Sequence, residues 1–560
     1  MDFSDSDLYF EKARKIREMI IERAAKNGGP FASNLGAVEI IIALCEVFDF
    51  GKDKIVFDIG QQYQAYKILT GRSERFFDIG KKGGLSKYPD ITESTYDHYT
   101  TGHSGTSVSA ALGYAVNNND NKSIAFLGDG ALTSGEVYEG MNHAGALQQN
   151  ILLIYNQNDW SIDKNVGALA DGTKMEKFAD SLNFEYRGIF DGHDTSLLID
   201  ELTKVKSITS PVFFHIRTIK GKGYIHSERD PATYHHLYVP FDVETGEIES
   251  NVDEWIKDTG RIIGTFSLKC VEYIQKYPKI YITTPAYLWG GLRNVIKEFP
   301  NHVIDTGICE QHCMTFSSAL RLAGSKVIMS MTSFFIARCY DQIFDVCIQK
   351  IPLVVQVCLP GVRPSNCATH QGLFDMSAFR TIPNMTLLHP MGVDEYRVML
   401  DWAVEYAQGP IFLHTATEDC KIGDIEPIEY GKSAILSEGD QLTVVPIGSM
   451  FNAADFLKKN MPNNSVEIFN PRFLIPFDYT SLFKSLKKTK RLLIIEDGIK
   501  AGGIGEGILA QIKENNIDCK TRLLTPPMEF IENLTWEEVF EYSGMTHDKI
   551  WNAAMWLLKL

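Results

Sequence analysis

No export or membrane signal is readable in this chain. The N-terminus, MDFSDSDLYFEKARKIREMI, opens acidic and becomes amphipathic, unlike a secretory leader. No apolar run has the length a bilayer demands. Cysteine pairing is missing as well: ten cysteines are scattered without a CxxC pair, so reduced thiols are expected rather than disulfides or a zinc site. Basic excess is absent, with 55 Lys and Arg against 71 Asp and Glu and a net charge of −16. That balance argues against nucleic acid or an anionic membrane as partner, and an anionic ligand then needs a local cation. Short-period repeats and low-complexity tracts are also lacking. These absences leave a cytoplasmic globular protein. Its 560 residues, 44% hydrophobic and 22% charged, exceed one core and predict two to four domains.

The chain is organised around Lys122 to Ile162. An apolar run, Ile124 to Leu127, reads as a buried strand broken by Gly128-Asp129-Gly130. From Ser134 to Ala146 the positions Val137, Met141 and Ala144 recur at helical spacing, and Ile151 to Tyr155 is a second strand ending in Asn156-Gln157-Asn158. This is a βαβ unit whose two polar turns lie at the carboxyl ends of neighbouring parallel strands, the edge where open α/β sheets bind ligands.

Before it, residues 11 to 26 and Leu35 to Phe48 read as helices, Ile55 to Ile59 as a strand, and 71 to 100 as a turn-rich loop over the site. Thr101 to Ser107 offers glycines and hydroxyls at a helix start, where backbone amides approach an anion. Strands at Phe184 to Ile189 and Val212 to Arg217 continue the block, and residues 240 to 260 read as a linker. A second α/β block starts near Tyr281, with a strand at Val303 to Thr306, another at Val327 to Met331, a helix over Ala337 to Gln349 and a strand at Leu353 to Cys358. A third begins near Asp440, with strands at Leu442 to Pro446 and Leu492 to Ile495 before a glycine-rich helix start at 501 to 505. The fold class is α/β, three domains in tandem.

Magnesium takes oxygen ligands and keeps phosphate oxygens among them. Asp129, the Asn158 amide oxygen and a backbone carbonyl near Trp160 supply such a set, and Gly128 and Gly130 let the backbone close around a diphosphate. Taken alone, the triplet is more often an Asp-Gly turn; the strand before it, the helix after it and the Asn-x-Asn at the next strand end favour the site. Glu310 follows a buried strand and enters an apolar helix, a poor place for an unpaired carboxylate. It either meets the helix dipole or serves a ligand. An acid in a second α/β block beside a diphosphate site points to thiamine diphosphate, which needs one at the far ring nitrogen of its aminopyrimidine.

These motifs carry a resemblance. The chain resembles the 1-deoxy-D-xylulose-5-phosphate synthase family and, more distantly, transketolase, over nearly its whole length. The matching stretches are 67–72, 101–107, GDGALTSGEVYEGMNHAG at 128–145, 164–169, 191–194, Glu310-Gln311-His312, Tyr340-Asp341-Gln342, Thr369-His370-Gln371-Gly372, Pro471 to Pro476 and Gly502-Gly503. The resemblance implies thiamine diphosphate and Mg2+ as cofactors and a homodimer. It implies a diphosphate- and Mg-binding domain at 1–260, a pyrimidine-binding domain at 270–425 and a transketolase C-terminal-like domain at 430–560. Metal ligation falls to Asp129, Asn158 and Trp160. Cofactor contacts fall to His103, Ser104, Gly128, Asp129, Gly130, Ala131, Asn158, Trp160, Glu310, Phe335 and Arg338. Catalytic roles fall to Glu310, His103, His370, His235 and Lys220.

Departures from the family cluster away from the cofactor. Pro30 stands where the family has histidine, and Gln61-Gln62 and Gln64-Ala65-Tyr66 where it has Gly-His-Gln and Tyr-Pro-His turns. Thr332 replaces a tyrosine, Cys358-Leu359-Pro360-Gly361 an Asp-Arg-Ala-Gly, Ser365-Asn366-Cys367 an Ala-Asp-Gly, and Thr417-Glu418 an Arg-Gly. Two of these changes delete arginines that would grip an acceptor's phosphate, with Arg363 nearby as a displaced cation. The expected activity is therefore decarboxylation of a 2-oxo acid such as pyruvate and transfer of the two-carbon unit to an aldehyde other than glyceraldehyde 3-phosphate. Ketol transfer from a ketose donor and a non-catalytic, cofactor-binding relative are the rivals.

Overall fold

The structure, a computed structural model, describes residues 5–117, 120–249, 254–363, 368–416, 418–531 and 534–559. It divides into two compact units, residues 1–252 with 306–309, and residues 253–305 with 310–560.

The first unit is built on five parallel strands: β1 (Lys54–Phe57), β2 (Ser123–Gly128), β3 (Ile151–Gln157), β4 (Glu185–Asp191) and β5 (Val212–Arg217), in the order β1-β2-β3-β5-β4. β2 and β3 read as unbroken apolar runs because both faces are covered. Ile124, Phe126, Leu152 and Ile154 pack against Ile16, Ile20, Leu35 and Ile41 on one side. Ala125, Leu127, Leu153 and Tyr155 pack against Val108, Leu112, Val137 and Met141 on the other. The strand period of two sorts each run between these cores. Register sets Gly128 opposite Asn156, so the turns after β2 and β3 begin side by side. The helix Gly135–Leu147 fills the crossover as expected. The helix expected over 35–48 is instead two, Ala32–Gly36 and Val38–Val47, hinged at Ala37. At Gly36 a side chain would collide with the Ile219 carbonyl, so that backbone approach needs glycine. Gly29–Pro30 pairs with His236–Leu237 in a small antiparallel ladder.

The second unit opens with the helix Glu254–Lys276. This corrects the expected linker at 240–260. Lys257 and Arg261 face outward on a helix whose Ile262, Phe266, Cys270 and Tyr273 enter the core. The strands that follow are β6 (Ile280–Thr284), β7 (Val303–Asp305), β8 (Lys326–Thr332), β9 (Val354–Cys358), β10 (Thr386–Leu388), β11 (Ile411–His414), β12 (Ala434–Ser437), β13 (Leu442–Ile447), β14 (Val466–Asn470), β15 (Phe473–Ile475), β16 (Arg491–Glu496) and β17 (Lys520–Leu524). They form two sheets, β15-β10-β11-β9-β8-β6-β7 and β12-β14-β13-β16-β17. Each sheet is parallel except for one antiparallel edge strand, β15 in the first and β12 in the second. β15 leaves the last block of sequence to join the middle one, and a single core runs from Met329 and Val355 to Val445 and Ile494. The fold is α/β with three principal sheets, and the last two share one compact unit. Among the described residues no helix is long and apolar enough to cross a membrane.

Candidate active-site residues

In the first unit the paired turns after β2 and β3 make a closed loop system around Asp129. Its Oδ1 accepts from the Gly130 amide at 2.9 Å, and its Oδ2 accepts from the amides of Asn158 at 2.7 Å and Asp159 at 2.5 Å. The carboxyl is buried, which pushes it up to about 6 although those amides and Lys220 pull the other way. These donors are all neutral, so the buried carboxylate's charge is uncompensated by a direct ion pair. Asn158 is buried beside it, and its Oδ1 accepts from the Trp160 amide at 3.2 Å. Trp160 bridges to Lys164, whose ammonium lies 5.6 Å from the indole. A side chain at Gly130 would strike Ser161 at 2.8 Å, so the loop closes only over glycine. Ala131 starts the short turn Ala131–Thr133 that leads into the helix. Gly128, Asp129, Gly130, Ala131, Asn158 and Trp160 thus come together. One carboxylate and one amide oxygen suit a hard cation that completes its shell with phosphate. Among the described residues no group of three or more His, Cys, Asp or Glu could hold a metal without such help.

The turn at 101–107 behaves differently from expectation. Ser104 Oγ, the Gly105 amide, and the Ser107 amide and Oγ all donate to the Asp58 carboxylate, at 2.8 to 3.3 Å. The anion at this helix start is the chain's own aspartate. Ser104 is among these donors, because a buried carboxylate must collect them. Burial still pushes Asp58 up. His103 lies half-buried on the same turn. Sequence reasoning assigned Asp58 no role, although its place just after β1 was the available signal.

Lys220 and His235 are brought together. The buried Lys220 ammonium donates to the Ser161 carbonyl and lies 3.1 Å from His235 Nδ1. The backbone at His235 is tied to the departure at position 30, since the Phe31 amide donates to its carbonyl and Pro30 pairs with His236. The Pro30 carbonyl accepts from Gln64 Nε2 at 2.9 Å, Asn34 Nδ2 at 3.3 Å and Arg23 Nη2 at 3.3 Å. Two departures distant in sequence, Pro30 and Gln64, therefore touch. Arg23, which the sequence reading passed over, is wholly buried there, and burial pulls it down to about 10. Gln62 accepts from the Asn156 amide at 3.0 Å, and Gln61 Nε2 faces the Tyr88 hydroxyl at 3.4 Å.

In the second unit Glu310 is the first residue of the helix Glu310–Leu322 and is buried. Burial pushes its carboxyl up, and Arg338, whose Nη1 donates to Oε2 at 3.4 Å, opposes that only in part. The helix expected over 337–349 begins as the tight turn Ile336–Cys339 and continues as Tyr340–Ile348. That turn aims Arg338 at Glu310, and Phe335 stands just before it. Phe335 lies edge-on to Phe334 at 4.7 Å, and the His370 ring is 5.0 and 5.5 Å from the two. Thr369 Oγ1 lies 2.9 Å from His370 Nδ1.

The departures of this unit align on one sheet edge. Thr332, last in β8, is in register with Cys358, last in β9, and Val357 is opposite His414, last in β11. Leu359 and Glu418 extend from those strand ends. Burial lifts Glu418 to about 7, while Asn452 and Cys420 donate to it and Arg363 acts against the lift. Ser365, Asn366, Cys367 and Thr417 lie outside the described residues.

The profile described as 1-deoxy-D-xylulose-5-phosphate synthase matches residues 3–178 and 172–218. Those of the transketolase pyrimidine binding domain and the transketolase C-terminal domain match 266–420 and 431–550. The chain is 34% identical to the 1-deoxy-D-xylulose-5-phosphate synthase of Clostridium perfringens over 98% of itself and 96% of that protein. It is 35% identical to that of Desulfotalea psychrophila, over 98% and 93%. A transketolase structure from Campylobacter jejuni covers 99% of both chains at 18% identity and a TM-score of 0.46.

Proposed function

Because the chain belongs to the 1-deoxy-D-xylulose-5-phosphate synthase family of thiamine-diphosphate- and Mg2+-dependent transferases, we propose that it decarboxylates a 2-oxo acid, pyruvate first, and joins the two-carbon unit to an aldehyde other than glyceraldehyde 3-phosphate. The observation that carries this reading is Glu310, a buried helix-start acid whose carboxyl is pushed up. A carboxyl that readily holds its proton suits the ring nitrogen of an aminopyrimidine. When bound, thiamine diphosphate supplies the nucleophilic carbon and the electron sink for decarboxylation. Asp129 and Asn158 would hold Mg2+, with the backbone at Trp160 as a further oxygen donor, and the bound cation would supply the positive charge a diphosphate needs. The fit rests on the buried, incompletely compensated Asp129 carboxylate. Phe335 and Arg338 orient the pyrimidine end, Arg338 by keeping Glu310 in place. Lys220, His235, His103 and His370 are the polar groups offered to substrate oxygens and their protons.

The acceptor preference rests on the edge formed by Thr332, Cys358, Leu359 and Glu418. Leucine gives a phosphate no hydrogen bond, and an acid beside the position where the family has the arginine of an Arg-Gly pair reverses the local sign. The active form is a cytoplasmic homodimer. Carbon dioxide release from pyruvate, with thiamine diphosphate, Mg2+ and a panel of aldehydes, tests the reading. Release coupled to a new hydroxyketone mass is expected; saturable cofactor binding with no release from any 2-oxo acid would refute it.

A further inference from the structure

Asp159 is a non-glycine residue at φ 67°, in the left-handed region. This conformation turns its amide onto Asp129 Oδ2 and fixes the peptide that follows Asn158. Relaxation to negative φ, the commoner state for an L-residue, would withdraw that amide and swing the Asn158 side chain away.

What holds Asp159 is a directed chain of hydrogen bonds outside the loop. Its Oδ2 accepts from Arg217 Nη2 and its Oδ1 from Gln157 Nε2, both at 2.8 Å. Gln157, wholly buried at the end of β3, also donates through Nε2 to the Asp171 carbonyl at 3.0 Å. With two pure acceptors on that side, the amide has only one sensible orientation, and Oε1 faces His215 Nε2 at 2.8 Å. Burial pulls His215 down to about 4, so the ring is neutral at physiological pH and carries one proton. That proton sits on Nε2, and Nδ1 accepts from the Tyr186 hydroxyl at 2.9 Å. The order is Tyr186 to His215 to Gln157 to Asp159. Gly172, at φ 71°, completes the arrangement: a side chain there would meet Gln157 Oε1 at 2.1 Å.

We infer that Gln157, oriented by His215 and Tyr186, is a positioning residue for the divalent cation, holding Asp159 in the left-handed conformation that sets Asp129 and Asn158 for metal binding. The inference rests on the reading of Asp129 and Asn158 as the Mg2+ ligands. Partners behind metal ligands typically change metal affinity by about 10–100-fold when removed. An apolar residue at 157 releases Asp159 Oδ1 and the Asp171 loop, whereas loss of the Arg217 contact releases Asp159 Oδ2 alone.

The test is Mg2+ titration of the full-length protein with thiamine diphosphate present, followed by calorimetry and by Trp160 fluorescence, with Trp160→Phe as the optical control. Gln157→Leu is expected to weaken Mg2+ by at least about tenfold, and activity lost at low Mg2+ returns as Mg2+ is raised. Unchanged Mg2+ affinity in folded Gln157→Leu overturns the inference. If that variant does not fold, Arg217→Met decides, its side chain being half-exposed: a severalfold weaker affinity supports the inference and an unchanged one overturns it. Asp129→Asn separates the two levels. If it abolishes Mg2+ binding while the other variants leave the affinity unchanged, the clamp fails alone; if it binds Mg2+ normally, the assignment of the metal site fails.

Discussion

Arg338 Nη1 stands 3.4 Å from Glu310 Oε2, too long for a strong ion pair, and the buried carboxyl keeps a raised affinity for its proton. Arginine here tunes and orients an acid without stripping it. The Glu310→Gln variant keeps the shape and loses the proton, so it is expected to bind thiamine diphosphate and lose about 10²–10⁴-fold in turnover. Single-turnover decarboxylation of pyruvate checks this. Because the folded carboxyl is raised, its contribution to stability is present below the unfolded pKa and lost as pH rises through the folded one. Glu310→Gln should therefore flatten the fall in apo-protein melting temperature with rising pH.

Asp129 gives a second pH signature, with the window set by about 6 in the fold. A raised carboxyl stabilises fully below its unfolded value, near 4, and that stability is lost as pH climbs through about 6. The apo protein should lose on the order of 3 kcal/mol across this window from that group. Mg2+ with thiamine diphosphate should restore it, since a cation inverts the preference. Melting curves at pH 5 and 7.5, with and without the pair, should show the larger ligand shift at the higher pH, and Asp129→Asn should abolish the difference.

At the acceptor edge, wild-type kcat/KM is expected to favour glyceraldehyde over glyceraldehyde 3-phosphate. Leu359→Arg, adding a cation at the end of β9, should move the ratio toward the phosphorylated aldehyde by about tenfold or more, since a charge-assisted hydrogen bond contributes roughly 1.5–3 kcal/mol. Steady-state kinetics with both acceptors decides. A wild-type enzyme that prefers the phosphorylated acceptor would sink the argument from the missing arginines.

Removing Asp58 strands the donors of Ser104, Gly105 and Ser107 in the interior. Asp58→Ala should destabilise the protein by about 3–5 kcal/mol, visible in denaturant midpoints, whereas Ser104→Ala alone should cost about 1 kcal/mol. Comparable effects from both would show that Asp58 is not the hub.

Periodicity sufficed for β2, β3, the helix between them, and hence for Asp129 and Asn158 as neighbours, because a buried parallel strand leaves an apolar run and its turn a glycine. It failed where contact depends on register or on a side chain's reach. Pro30 meeting Gln64, and Thr332 aligned with Cys358 beside the strand that ends at His414, follow from strand pairing that no local pattern encodes. The start of the helix Glu254–Lys276 escapes a local reading because its first turns expose Lys257 and Arg261 but bury Asp258, whose carboxylate accepts from the Asp419 amide 161 positions away. Gln157 lay in plain view at a strand end, but its importance comes from His215 and Asp171, 58 and 14 positions away.

β15 adds a constraint on how this chain can be shortened. Phe473–Ile475 is the edge strand of the sheet that carries β8 and β9, pairing antiparallel with Thr386–Leu388. A truncation ending near residue 425 would strip that cover and expose Leu387 and Leu388 along an unpaired edge, ready to recruit strands from other molecules. Cutting away the C-terminal block is thus predicted to yield an aggregating fragment, and any split-chain version must keep residues 473–475 with the middle segment.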